Sequence, residues 1–148
     1  MITEKWLHSQ TKPIEITLTR EMIKSYADAI CNENELYTNV EAAKQASYED
    51  IPAPPTMPFI FWQYLEVPWL DDVGVLVHGK QAFSYDQPLI ANQTYQCSIQ
   101  LLSLKTKVNK RGPIQIAEHQ LSIHYNGVVH ANALSTLVIL PKGSDDDA

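Results

Sequence analysis

The sequence predicts an α+β domain in which an antiparallel sheet curls around one apolar helix. Residues 73–140 read almost wholly as strands, with apolar positions alternating and an Asn-Gly turn near the end, while residues 1–70 read as helices, turns and proline-rich linkage. Between the halves, Phe59, Ile60, Phe61, Trp62 and Leu65 make a segment that is apolar nearly all round. Such a helix is expected to be wrapped by other structure rather than laid on a surface. A chain of 148 residues suits one domain, assigned to 1–141, with 142–148 expected as a flexible acidic tail.

Each element has its own local cause. Glu15–Leu18 is a short edge strand. Thr19 caps a helix whose first turn holds Glu21, and Met22, Ile23, Tyr26, Ala27 and Ile30 fall on one face. Cys31–Thr38 is a polar loop without apolar periodicity, and Asn39 then caps a short helix through Glu41–Lys44. Ile51–Pro58 holds four prolines and reads as an extended linker. Thr56 is placed to cap the apolar helix, with Pro58 in its first turn. The long strands are Val75–Tyr85, Thr94–Thr106, Ile114–Tyr125 and Val128–Leu140. In the second, Tyr95, Cys97, Ile99 and Leu101 alternate before the phase shifts at Leu102, which predicts a bulge. Asn126-Gly127 is a strong hairpin signal between the last two.

Composition narrows the function classes. With 45% hydrophobic residues, 19% charged, five glycines and two cysteines, the chain is neither disordered nor disulfide-rich. The net charge is −6, and Asp145, Asp146 and Asp147 supply three of the negative charges, so the body is mildly acidic. That argues against nucleic acid or a membrane surface as partner. No basic-then-apolar leader opens the sequence and no run approaches ~20 apolar residues, so a cytoplasmic protein with reduced Cys31 and Cys97 is expected. His78, His119, His124 and His130 lack metal-like spacing, and there is no phosphate-binding glycine loop or nucleophile elbow. Neither a metal nor a cofactor is expected.

Two segments point further. Tyr26–Tyr37 followed by Ile51–Pro58, and His78-Gly79-Lys80-Gln81-Ala82-Phe83-Ser84-Tyr85-Asp86-Gln87-Pro88-Leu89, resemble the N-terminal half-domain of MaoC-like dehydratases over roughly residues 10–140. The resemblance implies a hotdog fold that pairs with a second hotdog, as a homodimer or heterodimer. It also implies binding of acyl thioesters on coenzyme A or acyl carrier protein. Active relatives reversibly remove water from an (R)-3-hydroxyacyl thioester, with a carboxylate and an imidazole as acid and base and backbone N–H groups on the thioester carbonyl.

Laid on the family's Asp-x-Asn-Pro-x-His loop, this chain has Asn32 for the Asp, Asn34 for the Asn, Glu35 for the Pro and Tyr37 for the His. An amide is no base and a phenol with pKa near 10 is a poor proton carrier at pH 7. Both catalytic positions are therefore substituted, and the chain is expected to bind thioester and work with a complementary catalytic subunit. Two alternatives stand beside this: an enzyme active alone through displaced residues, and an acyl-thioester sensor without a reaction. Asp28, one turn before Asn32, is the displaced base the first would use. Asn34 is a candidate substrate contact, and Thr56 and Met57 are candidate carbonyl donors because Pro54 and Pro55 have no N–H. Lys105, Lys107, Lys110 and Arg111 place four of eleven basic residues within seven positions, suited to a carrier's phosphates or to a solvated turn.

Overall fold

Backbone pairing along the second half of the chain dominates the architecture. Ile14–Thr17 (β1), Val75–Tyr85 (β2), Thr94–Asn109 (β3), Gly112–Tyr125 (β4) and Val128–Leu140 (β5) form one antiparallel sheet in the order β1-β3-β4-β5-β2. The computed structural model describes residues 1–141, so the expected acidic tail lies outside the described residues. Leu101 pairs with His119 and Ser103 with Glu118, leaving Leu102 as the bulge that the phase shift predicts. Asn126 and Gly127 both have positive φ, 50° and 79°, as a two-residue turn matched to the strand twist requires. A second irregularity falls in β2 between His78 and Lys80.

The β3–β4 hairpin runs past its expected ends, Thr106 and Ile114, to Asn109 and Gly112. Polar side chains end the alternation there, but the backbone ladder continues. The Arg111 N–H donates to Asn109 Oδ1 at 2.9 Å and closes the turn.

The helices follow their caps. Arg20–Ala29 (α1) starts where Thr19 Oγ1 accepts the Met22 N–H at 3.1 Å, and it buries Ile23 and Ala27. Val40–Gln45 (α2) starts where Asn39 Oδ1 accepts the Glu41 and Ala42 N–H groups. The apolar helix, Met57–Tyr64, departs from expectation: it is a 3-10 helix of eight residues. The Met57 N–H donates to the Pro54 carbonyl and the Phe59 N–H to the Thr56 carbonyl, and these i to i−3 bonds set the tighter winding. Pro58 has no N–H to offer a wider turn. Met57, Pro58 and Phe61 are buried against the sheet, while Phe59 and Tyr64 are 44% and 48% exposed. The sheet therefore covers one side of this helix and leaves the other open.

The core lies between that helix, α1 and the inner face of the sheet. Ile99, Leu121 and Ala133 are fully buried in one row of three paired strands. The proline stretch is part of this core and no solvent linker: Ile51, Pro52, Ala53 and Pro54 are buried, and the Ala53 N–H donates to the Leu89 carbonyl. Among the described residues, no helix is long and apolar enough to cross a membrane.

Candidate functional site

The end of α1 sets the loop that carries the substituted positions. Cys31 takes φ 56°, and the Asn32 N–H donates back to the Ala27 carbonyl at 2.8 Å, the closing bond of a left-handed helix cap. Asn32 is half-buried, and its Oδ1 accepts the Asn34 N–H at 2.9 Å. Asn34 in turn caps the single 3-10 turn Glu35–Tyr37, its Oδ1 accepting the Leu36 N–H at 3.0 Å. Both asparagine side chains are thus engaged in holding the loop, and Asn34 is exposed and serves as a turn cap. The turn they hold delivers Tyr37.

Tyr37 lines a cavity of about 120 Å³ with Leu36, Tyr48, Pro52, Pro55 and Tyr85. Tyr85, at the end of β2, donates its hydroxyl to the Pro55 carbonyl at 2.5 Å. The Tyr26 hydroxyl on α1 lies 2.7 Å from Thr56 Oγ1. Two phenols from different elements therefore hold the Pro55-Thr56 turn. Burial raises the Tyr37 phenol above its ordinary range, and the nearby Tyr48 adds to this. Tyr85 is raised further, by burial first and by Tyr26 and Tyr37 next. Tyr37 and Tyr85 therefore stay protonated near neutrality and offer the cavity neutral O–H groups beside apolar surface.

The remaining candidates fall in different places. Asp28 is exposed on α1. The Met57 N–H is already bonded to Pro54 and its side chain is fully buried, so Met57 is a core residue and not a carbonyl donor. The Thr56 N–H has no hydrogen-bond partner among the described residues, which leaves it as the free donor of the turn. Lys105, Lys107, Lys110 and Arg111 are exposed at the β3–β4 tip. Lys107 pairs with Ile114, in the row near Val75, whereas Tyr85 pairs with Ala131 at the other end of the sheet. Some ten residues of strand, about 33 Å, separate the basic tip from the cavity within one chain.

Sequence reasoning missed Tyr26, Tyr48 and Tyr85 as site residues. Each sits in its own element, and only the chain's path through α1, the proline stretch and the end of β2 brings them together. A second polar feature also turned inward. His119, fully buried on β4, accepts from Trp69 Nε1–H at 2.9 Å, with the Trp62 ring edge-on at 5.3 Å.

The model of one family, described as FAS1-like, dehydratase domain region, matches residues 6–131. The chain belongs to this family. The UPF0336 protein of Thermobifida fusca is 38% identical over 101 residues, 64% of this chain; the chain spans 65% of that relative's length. One subunit in the crystal structure of the C-terminally truncated HadBC (3R-hydroxyacyl-ACP dehydratase) complex from Mycobacterium tuberculosis superposes with a TM-score of 0.81 at 20% identity. The match covers 93% of this chain and 99% of that one. The MaoC-like dehydratase from Rhodospirillum rubrum gives 0.72 at 14% identity, over 96% and 98% of the two chains. The fold is thus the hotdog of MaoC-like dehydratases, as the loop and strand motifs led one to expect.

Proposed function

We propose that the chain is an acyl-thioester-binding subunit of a 3-hydroxyacyl thioester dehydratase, with the acid–base chemistry supplied by a complementary hotdog subunit. The observation that carries this is the fate of the two substituted positions. Asn32 closes a turn with its side-chain oxygen, and Tyr37 presents a phenol held above its ordinary pKa. Neither is able to take a C2 proton at neutral pH. What remains is recognition: neutral hydroxyls and apolar walls in the cavity and, on the adjoining Pro55-Thr56 turn, the free Thr56 N–H as a candidate donor to a thioester carbonyl.

Pairing is supported by β2, whose outer edge has no neighbouring strand among the described residues and whose first residues Val75, Leu76 and Val77 are 42–44% exposed. Open apolar edges of this length are normally covered. Antiparallel pairing of that edge would set the Lys105–Arg111 tip at the same end of the joined sheet as the partner's cleft. There it would meet the phosphates of the carrier, coenzyme A or acyl carrier protein. The similar HadBC protein is itself described as a complex.

Purified free of host hydratase, the chain alone is expected to hydrate crotonyl-CoA far below 1 s⁻¹, since each acid–base group typically contributes ~10²–10⁴-fold. It is also expected to bind crotonyl-CoA, followed by tryptophan fluorescence. Turnover of about 1 s⁻¹ or more, within the usual enzyme range, would show a stand-alone enzyme and direct attention to Asp28.

A further inference from the structure

We propose that Lys80 selects the partner: the edge of β2 is built to pair with a different chain that places a carboxylate opposite Lys80, in preference to a second copy of itself. This rests on the pairing through β2 argued above. β2 runs Val-Leu-Val-His-Gly-Lys-Gln-Ala-Phe-Ser-Tyr and contains no acidic residue. Lys80 is its middle residue, exposed, and it stands on the outer face of the sheet opposite Thr136 of β5. An antiparallel self-pairing that overlaps the whole strand puts its two-fold axis at Lys80, the middle residue. The bulge between His78 and Lys80 moves that axis by no more than one residue. In every such register the two Lys80 side chains are direct or diagonal neighbours, within about 7–8 Å across the joint.

Among the described residues, no carboxylate stands beside Lys80 in its register row to cancel that repulsion at close range. Along the register row the next positions are Thr136 and then Glu118, two strands away from Lys80, or about 10 Å. The ion pair shown among the described residues is Arg20 with Asp50, remote from this edge. The flanking surface is otherwise suited to burial. Val75, Leu76 and Val77 are open on one side of Lys80, and Phe59 packs at a tilt against His78 with ring centroids 4.9 Å apart. An apolar strip interrupted by a single cation attracts a strand while discriminating among strands, the usual way specificity is built by adding a repulsive element against the wrong partner. The chemistry that fits is an apolar edge strand with Asp or Glu at its centre.

The test uses this chain alone. Equimolar unlabelled Lys80→Glu protein and ¹⁵N-labelled parent are mixed, and dimers are counted by native mass spectrometry at low ionic strength and again at 0.5 M NaCl. The mixed dimer of parent with Lys80→Glu is expected in excess of the statistical 1:2:1 distribution, with a Kd roughly 3- to 10-fold below that of either homodimer. The excess should shrink in salt as the charges are screened. Lys80→Gln should strengthen self-association over the parent, again by a few-fold. A statistical distribution with dimers present would overturn the selection by Lys80 and leave pairing through β2 standing. Absence of dimers in every mixture, Lys80→Gln included, at tens of micromolar protein would overturn both.

Discussion

Lowering the pH from 7 to 5 should cost the folded chain about 2 kcal/mol through one side chain, His119. Its imidazole is fully buried, accepts from Trp69 Nε1–H at 2.9 Å and has Nδ1 3.3 Å from the Ala117 carbonyl. Burial pushes its pKa down from 6.5 to about 4. The unfolded chain takes up the proton as pH falls through 6.5, whereas the folded chain resists until about 4. Unfolding therefore binds a proton in that window, and stability falls with falling pH. The loss is complete below pH 4, at about 3 kcal/mol, from 1.36 kcal/mol per unit of displacement. Urea unfolding at pH 7, 6 and 5, followed by tryptophan fluorescence, reads the change as a midpoint lowered by about 1 M for a typical urea slope. His119→Gln keeps a neutral acceptor for Trp69 but does not titrate. It should be less stable than the parent at pH 7 and markedly flatter between pH 7 and 5. Equal losses in the two proteins over that interval would refute the assignment to His119.

Three further outcomes follow from the packing. Leu121→Ala, in the fully buried row with Ile99 and Ala133, should cost about 2–5 kcal/mol in urea unfolding, from the lost transfer free energy and the cavity left behind. Tyr85→Phe removes the donor to the Pro55 carbonyl and should cost about 1 kcal/mol, with weaker crotonyl-CoA binding because the turn bearing the Thr56 N–H is released. Iodoacetamide at pH 8 should modify the native protein once, at exposed Cys31. Cys97 is fully buried with its thiol pushed up to about 12, so it should react only when urea unfolds the chain, and two modifications before unfolding would contradict this.

The strand half of the molecule was legible because local rules and tertiary outcome agree there. Alternation placed β2 and β5 at their observed ends, the phase shift located the bulge at Leu102, and Asn126-Gly127 made the turn its chemistry demands. Thr19 and Asn39 cap the helices expected of them because a side-chain oxygen three or fewer residues from free N–H groups needs no distant partner. The loop itself is equally local, whereas Asn32 and Tyr37 are singled out by the resemblance to the Asp-x-Asn-Pro-x-His loop of MaoC-like dehydratases. Where several distant segments had to be weighed together, sequence pattern was silent. The apolar segment winds as a 3-10 helix with one open side because the prolines before it and the sheet behind it jointly set its turns. His119 reads as one of several scattered strand histidines until the fold turns it inward onto Trp69, and burial then decides its protonation. The cavity is the sharpest case. Tyr37, Tyr48 and Tyr85 line it from a 3-10 turn, a loop and a strand end, Tyr26 reaches the adjoining turn from a helix, and no periodicity links them. Their convergence on the Pro55-Thr56 turn is a property of the chain's path in space, since a site assembled from segments tens of residues apart leaves no spacing to be read.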